Sequence, residues 1–428
     1  MILVNNPGSW GHIYAPFEHA PWNGLTPTDL VFPFFLFAVG NAMSFVMPRL
    51  EEAGPSVFWT KILKRSALIF LIGLFLNWWP FVVEVNRVVE GGTEFQKVFI
   101  AKGFTWLDYS KDDAGNIIEK IKGVRIMGVL QRIALSYLFA SIIVHFFKKE
   151  KAFYVGVIML LVYWTLCLWG NPTDPYSLQG WFGTSRDLWI IGDAHMYKGE
   201  SLNGVPIAFD PEGLMSTLPA IVQVIFGYLV GDYIRTRAVG VAAPAADAAS
   251  AAHPPAPATI SSQAVATDST SDSTSNKNGS LYPLLTGLFV VAVALLVTGY
   301  VWNMTMPINK KIWTSSYVVF TTGLAIATIA TMIYFIEVKE KRGWLARFFD
   351  VFGKNALFVF ALSAFLPKGL SLIHLEKGVN PWNWLYKKVL INVPGAPENG
   401  SLIYAFCVIS FMWLICWVLD KKKIYIKV

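Results

Sequence analysis

Residues 30–47 read LVFPFFLFAVGNAMSFVM, a run that contains no charged side chain. A helix needs about 20 mostly apolar residues to cross the hydrocarbon core of a bilayer, and this run is apolar on all sides rather than along one stripe. Eight further runs share this character, at approximately 66–83, 126–147, 152–170, 214–234, 283–302, 315–337, 351–373 and 401–419. The sequence therefore predicts an all-α, polytopic integral membrane helix bundle with about nine complete spanning helices.

The composition agrees with a membrane protein. Of the 428 residues, 54% are hydrophobic and only 15% are charged, and the mean hydropathy is +0.48. A soluble domain carries roughly a quarter charged residues. This balance excludes a soluble multidomain enzyme, a disordered chain and a nucleic-acid binder, and it predicts that the chain is surrounded by membrane lipid. The formal charge of +7 then reflects the basic residues that orient membrane helices.

The distribution of basic residues predicts the topology. Lysine and arginine cluster in the loop after the first run and in every second loop thereafter, for example at Lys148 and Lys149, whereas residues 1–29 carry none. Cytoplasmic loops are enriched in these residues. We therefore expect the C-terminus in the cytoplasm and residues 5–29 on the outer side of the membrane.

The chain divides into four regions. Residues 1–29 are expected to contain the end of a truncated first helix, because Met1 to Val4 are apolar but too few to span, and then an outward-facing active-site loop. Residues 30–235 and 282–428 form two groups of membrane helices. Residues 236–281 are mostly Ala, Ser, Thr and Pro, which bury too little apolar surface to offset the entropy of ordering. We predict a disordered cytoplasmic linker there.

Ionisable groups at membrane depth are costly and usually functional. His19 lies in the first loop, and Asp29 directly precedes the first apolar run. Histidine is suited to acid–base chemistry near neutral pH. The alternative without a catalytic role is a histidine at the membrane interface beside tryptophans. His12 is a second candidate for the acid–base residue. Arg132 is the clearest charge inside a predicted helix. It needs an anionic partner, which is either a carboxylate such as Asp29 or a phosphate of a ligand.

Two more polar segments stand at outer helix entrances, at 210–213 (DPEG) and 309–315 (NKKIWTS). At predicted inner helix ends lie Lys64 with Arg65 and Lys354 with Asn355. Positive-inside topology explains these lysines, but a phosphate-bearing ligand entering from the cytoplasm would use the same groups. The three cysteines lack the spacing of a metal site, so we predict no metal.

Residues 19–33, HAPWNGLTPTDLVFP, resemble the signature of the heparan-α-glucosaminide N-acetyltransferase family of transmembrane acetyltransferases. Further matches are 125–132 (RIMGVLQR), 210–213 and 309–315, in that order along the chain. The resemblance implies transfer of acetyl from acetyl-CoA to an amino sugar across the bilayer. The active-site histidine of the family falls on His19, and a family asparagine falls on Asn5.

This chain departs from the family pattern in its start and its linker. The family has a full helix ahead of the asparagine that falls on Asn5. The short outer loops favour a bacterial relative in the inner membrane, with His19 on the periplasmic side and glucosamine or a short amino sugar as acceptor. The resemblance is also compatible with a homodimer.

The chemistry assigns roles to the candidate residues. An attacking amine must lose a proton, and His19 is suited to accept it. Asp29 could orient the imidazole, and the side-chain amides of Asn5 or Asn23 could stabilise the oxyanion. Direct transfer is preferred over an acetyl-histidine intermediate, which stays open. The expected donor contacts are Arg132, Lys64, Arg65, Lys354 and Asn355, and the expected sugar contacts are Trp22, Asn23, Asp210, Glu212, Lys310 and Trp313.

Two other functions remain open at this level. The helix count also fits a secondary transporter of sugars or organic acids, in which Arg132 would anchor the substrate. An O-acyltransferase of polysaccharide or lipid would use the same base and donor, so that only the product, an amide or an ester, separates it from an N-acetyltransferase.

Overall fold

Helices form most of the chain in the computed structural model, which describes residues 1–89, 94–111, 115–202, 204–242 and 272–426. Short 3₁₀ turns, including Pro27–Leu30 before α2, connect several of them. The helices are Ile2–Asn5 (α1), Val31–Glu52 (α2), Pro55–Trp78 (α3), Val129–Gly170 (α4), Phe182–Ile191 (α5), Leu214–Ala242 (α6), Asp272–Trp302 (α7), Ser315–Ile333 (α8), Trp344–Lys354 (α9), Ala356–Leu370 (α10), Trp384–Lys388 (α11) and Pro397–Lys421 (α12).

The long apolar helices establish a multi-pass membrane protein. Within the described ranges, α2, α4, α6, α7, α8 and α12 are long and apolar enough to span a bilayer, and the pair α9 and α10, bent by 76° at Asn355, is a seventh candidate. The predicted count of about nine is not confirmed. Helix α3 has the length of a span, but Lys61, Lys64 and Arg65 interrupt its apolar surface.

Helix α4 combines two of the predicted runs, 126–147 and 152–170. Its 42 residues correspond to about 63 Å at 1.5 Å per residue, about twice the thickness of the hydrocarbon core. Lys148 breaks it with a left-handed φ of 55°. Arg132 before the break and Tyr163 after it both reach the segments that precede other helices, at Pro211 and Ile312. The two halves of α4 therefore run in opposite directions.

The helices begin and end at two opposite ends of the bundle. At one end, Asp29 before α2 accepts a hydrogen bond through its backbone oxygen from Tyr317 of α8, at 2.6 Å. We call this the His19 end. At the opposite end, Glu51 of α2 pairs with His145 and Lys148 of α4, and Lys149 pairs with Asp232 of α6. The motifs at helix entrances therefore lie at the His19 end.

Helices α2 and α6 cross at close range through glycines. A Cβ atom on Gly40 would lie 1.9 Å from the carbonyl oxygen of Val224, and one on Gly227 would lie 2.1 Å from that of Phe37. Small residues let membrane helices approach until their backbones touch. This contact fixes the distance between the segments that enter α2 and α6, which both contribute to the site described below.

The prediction of an all-α chain is wrong in detail, because three antiparallel hairpins lie at the His19 end. Residues 82–88 (VVEVNRV) contain four valines, a residue type enriched in strands. The hairpin that they begin continues into a second one that starts at Thr105. A third, shorter hairpin precedes α6. The strands are Val82–Val88 (β1) with Phe95–Ala101 (β2), Thr105–Lys111 (β3) with Ile117–Gly123 (β4), and Glu200–Leu202 (β5) with Val205–Ile207 (β6).

The linker predicted at 236–281 joins the two helix groups. Helix α6 extends to Ala242 and α7 begins at Asp272. Residues 243–271 lie outside the described part of the chain, so the disorder predicted for them remains a prediction.

Candidate active site

The segment that carries His19 leads directly into α2, and a helix cap positions its carboxylate. The backbone N–H and the hydroxyl of Thr26 donate to Asp29 Oδ2 at 3.1 and 3.0 Å, the reciprocal arrangement of a capping box. The backbone N–H of Ala20 donates to the same oxygen at 3.1 Å. Asp29 is 1% exposed, so three local donors hold a buried carboxylate below His19.

His19 forms a hydrogen bond with that carboxylate. Its Nδ1 lies 2.7 Å from Asp29 Oδ1. A carboxylate only accepts, so Nδ1 carries a proton, and in the neutral form of the ring the lone pair is on Nε2. The His19 side chain is 48% exposed and can meet a ligand. A base with its second nitrogen oriented by a carboxylate is the arrangement that acyl transfer to an amine requires.

Lys310 is the third member of this group. Its Nζ lies 3.0 and 3.2 Å from the two ring nitrogens of His19 and 3.4 Å from Asp29 Oδ1. Burial lowers the pKa of Lys310, although Asp29 and Glu212 oppose the effect. The ammonium therefore covers Nε2, and an amine that reaches this nitrogen must replace Lys310 as its hydrogen-bond donor.

The segment 308–314 is fastened to the segment 19–29. Asn309 donates from Nδ2 to Asn23 Oδ1 at 3.2 Å, and Gly24 N donates to Ile308 O at 2.8 Å. Asn309 Oδ1 also accepts from Ile312 N at 3.1 Å. Trp313 follows with a left-handed φ of 53°, a strained conformation for a bulky residue that persists only where its surroundings enforce it.

The acidic motif 210–213 is paired with a protein arginine. Arg125 donates from Nε and Nη2 to the two Asp210 oxygens at 2.9 and 2.6 Å, and from Nη2 to Glu212 at 2.5 Å. Burial alone would lower the pKa of Arg125, but the two carboxylates raise it. Burial alone would raise the pKa of Glu212, but Arg125 and Arg132 lower it. Asp210 is buried, so it is not presented to a sugar ammonium as expected.

Arg132 is completely buried between aromatic rings. Its guanidinium carbon lies 4.9 Å from the ring centroid of Trp313 and 5.8 Å from that of Phe32. Nη2 donates to Pro211 O at 2.5 Å and to the Ser216 hydroxyl. The suggested partner Asp29 instead binds His19 and Lys310. Nε and Nη1 of Arg132 have no hydrogen-bond partner among the described residues.

Trp22 forms one wall of the site. Its indole N–H donates to Tyr176 O at 2.7 Å, and Lys311 Nζ lies 5.6 Å from the ring centroid. Lys311 pairs with Glu200 at 2.8 Å. A partly exposed indole beside polar groups is suited to an amphipathic ring. Asn23, by contrast, is exposed, and its amide oxygen is engaged by Asn309.

These groups surround one cavity that opens to solvent, with an empty volume of about 830 Å³ including its open part. The structure thus brings the four quoted motifs together. The lining residues are His19, Ala20, Trp22, Asp29, Arg125, Val129, Arg132, Tyr197, Glu200, Pro211, Glu212, Lys310, Lys311 and Trp313.

Asn5 is separate from this cavity. It is exposed at the end of α1, a helix that packs against α12, and it is not among the lining residues. Asn5, on which the family asparagine falls, is therefore not brought to His19 by any described contact.

The residues expected at the donor nucleotide do not form one cluster. Arg65 is exposed on α3 and lies over the Tyr137 ring at 5.1 Å, and Lys64 is exposed beside it. Lys354 of α9 pairs with Asp350 and Asp420 at 2.7 and 3.1 Å. Asn355 is buried and bonds to backbone groups of Ile424 and Ile426. No described contact joins the α3 pair to the α9 pair.

The other histidines make structural contacts. His195 Nδ1 donates to Val124 O at 2.7 Å, and His145 pairs with Glu51 at the opposite end. His12, the rival of His19, lies in a small cleft between the N-terminal segment and α12. His253 is outside the described residues. Across the described ranges, no three His, Cys, Asp or Glu side chains form a group that could hold a metal ion.

Three buried or lining residues escaped the sequence analysis. Tyr197 and Glu200 line the cavity from the stretch between α5 and β6, where no motif drew attention. Asp187 of α5 is 1% exposed, and its Oδ1 accepts from Met215 N at 3.1 Å. Glu200 is the first residue of β5, and the Asn-Gly pair at 203–204 of the sequence, which is typical of a hairpin turn, was the one local signal available.

Comparison with known proteins gives two relatives and no family model that matches. Heparan-alpha-glucosaminide N-acetyltransferases of Homo sapiens and Mus musculus are each 23% identical to this chain over 479 aligned residues. The alignments cover the whole chain, which spans 58% of the length of either relative. This multi-pass membrane protein is thus a distant relative of the heparan-alpha-glucosaminide N-acetyltransferases.

Proposed function

We propose that this chain is a transmembrane N-acetyltransferase, which transfers acetyl from cytoplasmic acetyl-CoA to a glucosamine-type amino sugar on the outer side of the membrane. The observation that carries the proposal is the His19–Asp29 pair at a cavity lined by all four motifs. The names of the two relatives support the same reaction class. His19 is the general base, and acetyl-CoA is a cosubstrate.

The reaction needs two proton transfers, one to His19 and one from it, and the exchange of a C–S bond for a C–N bond. The sugar amine attacks the thioester carbonyl carbon, and the carbonyl π electrons move to oxygen. His19 Nε2 accepts the amine proton, and the imidazolium is stabilised by Asp29 at 2.7 Å from Nδ1. The C–S bond then breaks, the carbonyl re-forms, and His19 returns the proton to the CoA thiolate. The products are an acetamido sugar and free CoA.

The orientation that we propose places the His19 end outside and the C-terminus in the cytoplasm of a bacterial inner membrane. Basic residues near the opposite end, including Lys148, Lys149 and Arg235, support this orientation. Donor entry from that side would pass exposed Lys64 and Arg65 of α3. A role for Lys354 and Asn355 in donor binding is less well supported, because both are engaged by protein groups.

The acceptor sugar would lie against Trp22. The indole offers a flat apolar face, while Lys311, Glu200 and Glu212 around it offer donors and acceptors for hydroxyl groups. Lys310 would yield its place at Nε2 to the sugar amine. Glu212 keeps its negative charge beside Arg125, so its carboxylate at the cavity wall can attract an arriving ammonium, which releases one proton to solvent before the neutral amine attacks.

The test is to incubate the purified protein in detergent with acetyl-CoA and a panel of amino sugars. Free thiol reports turnover, and mass spectrometry identifies the product. We expect an amide of a glucosamine-type sugar with wild type, and a loss of at least about 100-fold in kcat with His19→Ala. Arg186→Gln, a change at an exposed arginine on α5, is the matched control and should keep full activity.

Other outcomes would contradict the proposal. An ester product would indicate an O-acyltransferase. Sugar uptake into proteoliposomes that does not depend on acetyl-CoA, without thiol release, would indicate a transporter. Isolation of an acetyl-enzyme that passes its label to the sugar would keep the reaction but replace the direct route by an acetyl-histidine intermediate.

A further inference from the structure

The charges at the cavity are matched except for one. Arg125 forms ion pairs with Asp210 and Glu212. Lys310 pairs with Asp29, and Lys311 pairs with Glu200. Arg132 is the fourth cation of the lining and has no ion pair among the described residues. It is also the most deeply buried of the four, with 0% exposure. A buried cation without a direct ion pair is unfavourable, so its position at the wall of the site points to a role beyond packing.

The guanidinium of Arg132 is fixed in one orientation. Nη2 is held by Pro211 O and the Ser216 hydroxyl, and the plane lies against the Trp313 and Phe32 rings. Nε and Nη1 remain buried and unpartnered. Donors that are already oriented need no rearrangement during a reaction, and their field is strong where water is excluded.

We propose that Arg132 stabilises the oxyanion of the tetrahedral intermediate, and this inference rests on the proposed function. The thioester carbonyl is neutral before attack and carries a full negative charge after the amine nitrogen has bonded to it. An unpartnered N–H of Arg132 donates to that oxygen as the charge develops. The interaction is thus stronger in the transition state than in the ground state, which is the condition for accelerating the step.

A permanent anion suits this position less well. Asp29, Glu200 and Glu212 line the same cavity and would repel a doubly charged phosphate. The lining carries four cationic and three anionic side chains, so it accommodates one developing charge. The amides expected in this role are placed elsewhere, because Asn5 is outside the cavity and the Asn23 amide faces Asn309.

The variant Arg132→Gln tests the proposal through separate measurement of kcat and KM. We expect kcat to fall about 100- to 1,000-fold, whereas KM for acetyl-CoA and for the sugar changes less than about threefold. In Arg132→Ala, added guanidinium ion at millimolar concentration should restore part of kcat. Arg186→Gln should show neither effect. A purely structural role would not give rescue by guanidinium.

A rise of tenfold or more in KM for acetyl-CoA with unchanged kcat would overturn the proposal, because it would place Arg132 at an anionic group of the donor. If Arg132→Gln does not purify as folded protein, Arg132→Lys keeps the charge but changes the donor geometry, and kcat should fall at least tenfold. Wild-type kcat in either folded variant would overturn the oxyanion role alone. Absence of turnover in wild type would overturn the proposed function itself.

Discussion

His19 and Asp29 show how a short sequence spacing becomes a chemical group. The carboxylate caps the turn that begins α2 and is therefore buried and oriented before it contacts any other element. The loop between the two residues returns the imidazole to it, at 2.7 Å. The two oxygens of one carboxylate thus have separate roles: Oδ2 caps the start of the helix, and Oδ1 fixes the tautomer of the base.

Replacing this carboxylate by an amide should invert the histidine tautomer. In Asp29→Asn the side-chain NH₂ can donate to Nδ1, which leaves the proton on Nε2 and removes the base. We expect kcat to fall about 100- to 10,000-fold at pH 7, measured by thiol release. Glu94→Gln, at an exposed carboxylate, is the control. Activity within threefold of wild type would show that Asp29 does not orient His19.

At this scale the sequence predicts the identity of the site residues better than their pairing. His19, Asp29, Arg132 and Lys310 all line the cavity. The partner of Asp210, however, is 85 residues away, and nothing local distinguishes Arg125 from Arg132 as that partner. Pairing over such a separation depends on how α4 and α6 pack, which residue types alone do not specify.

At the scale of elements, the carboxyl group of Asp187 links α5 to α6, and burial destabilises its charged form. Asp187 of α5 accepts from Met215 N at the start of α6, while its Oδ2 has no partner in the described structure. The pKa of Asp187 is raised to about 7, first by burial and then by the charge on Asp210, while the Met215 hydrogen bond and Arg132 act in the opposite direction. The unfolded carboxyl loses its proton near pH 3.8. Stability is therefore lost as the pH rises between these two values.

Asp187→Asn should consequently stabilise the protein most at high pH. The neutral amide keeps the bond to Met215 N and cannot ionise, so we expect a gain on the order of 2–4 kcal/mol at pH 8 and a smaller one at pH 5. Thermal unfolding in detergent at both pH values measures it. Asp193→Asn, at an exposed position, should give no such pH dependence. A lower melting temperature of Asp187→Asn at pH 8 would contradict the prediction.

The elements themselves were predictable where hydropathy is uniform. The runs at 214–234, 283–302, 315–337 and 401–419 each fall within one helix or its direct continuation. The geometry between the runs 126–147 and 152–170 depends on the backbone angles at Lys148, and the hairpins lie between the apolar runs, where hydropathy gives no signal. A hydropathy pattern indicates the environment of a segment, but it does not describe the geometry of a turn.

For the molecule as a whole, the two ends of the bundle differ in chemistry. Acidic and basic groups are paired within a cavity at the His19 end, whereas lysines and arginines dominate the opposite end, with Lys421, Lys422 and Lys423 at the end of α12. The positive-inside rule predicts that the end rich in lysine and arginine faces the cytoplasm. This orientation can be tested directly.

Single cysteines at exposed positions should report the two sides. In a background with Cys407 replaced by serine, we expect a membrane-impermeant maleimide to label Glu18→Cys at the His19 end in spheroplasts. Lys422→Cys should be labelled only after the membrane is permeabilised, because the positive-inside rule predicts that the basic end faces the cytoplasm. If both variants are labelled before permeabilisation, the membrane leaks the reagent and the preparation is discarded. Labelling of Lys422→Cys but not of Glu18→Cys in intact spheroplasts would contradict the orientation.

The contact between His19 and Lys310 joins residues 291 positions apart. At 5–20 residues per second, the ribosome synthesises Lys310 roughly 15–60 s after His19. Throughout that interval the nascent chain carries its imidazole without the lysine that later covers it. The group formed by His19, Asp29 and Lys310 is therefore completed only after the segment between α7 and α8 has been synthesised.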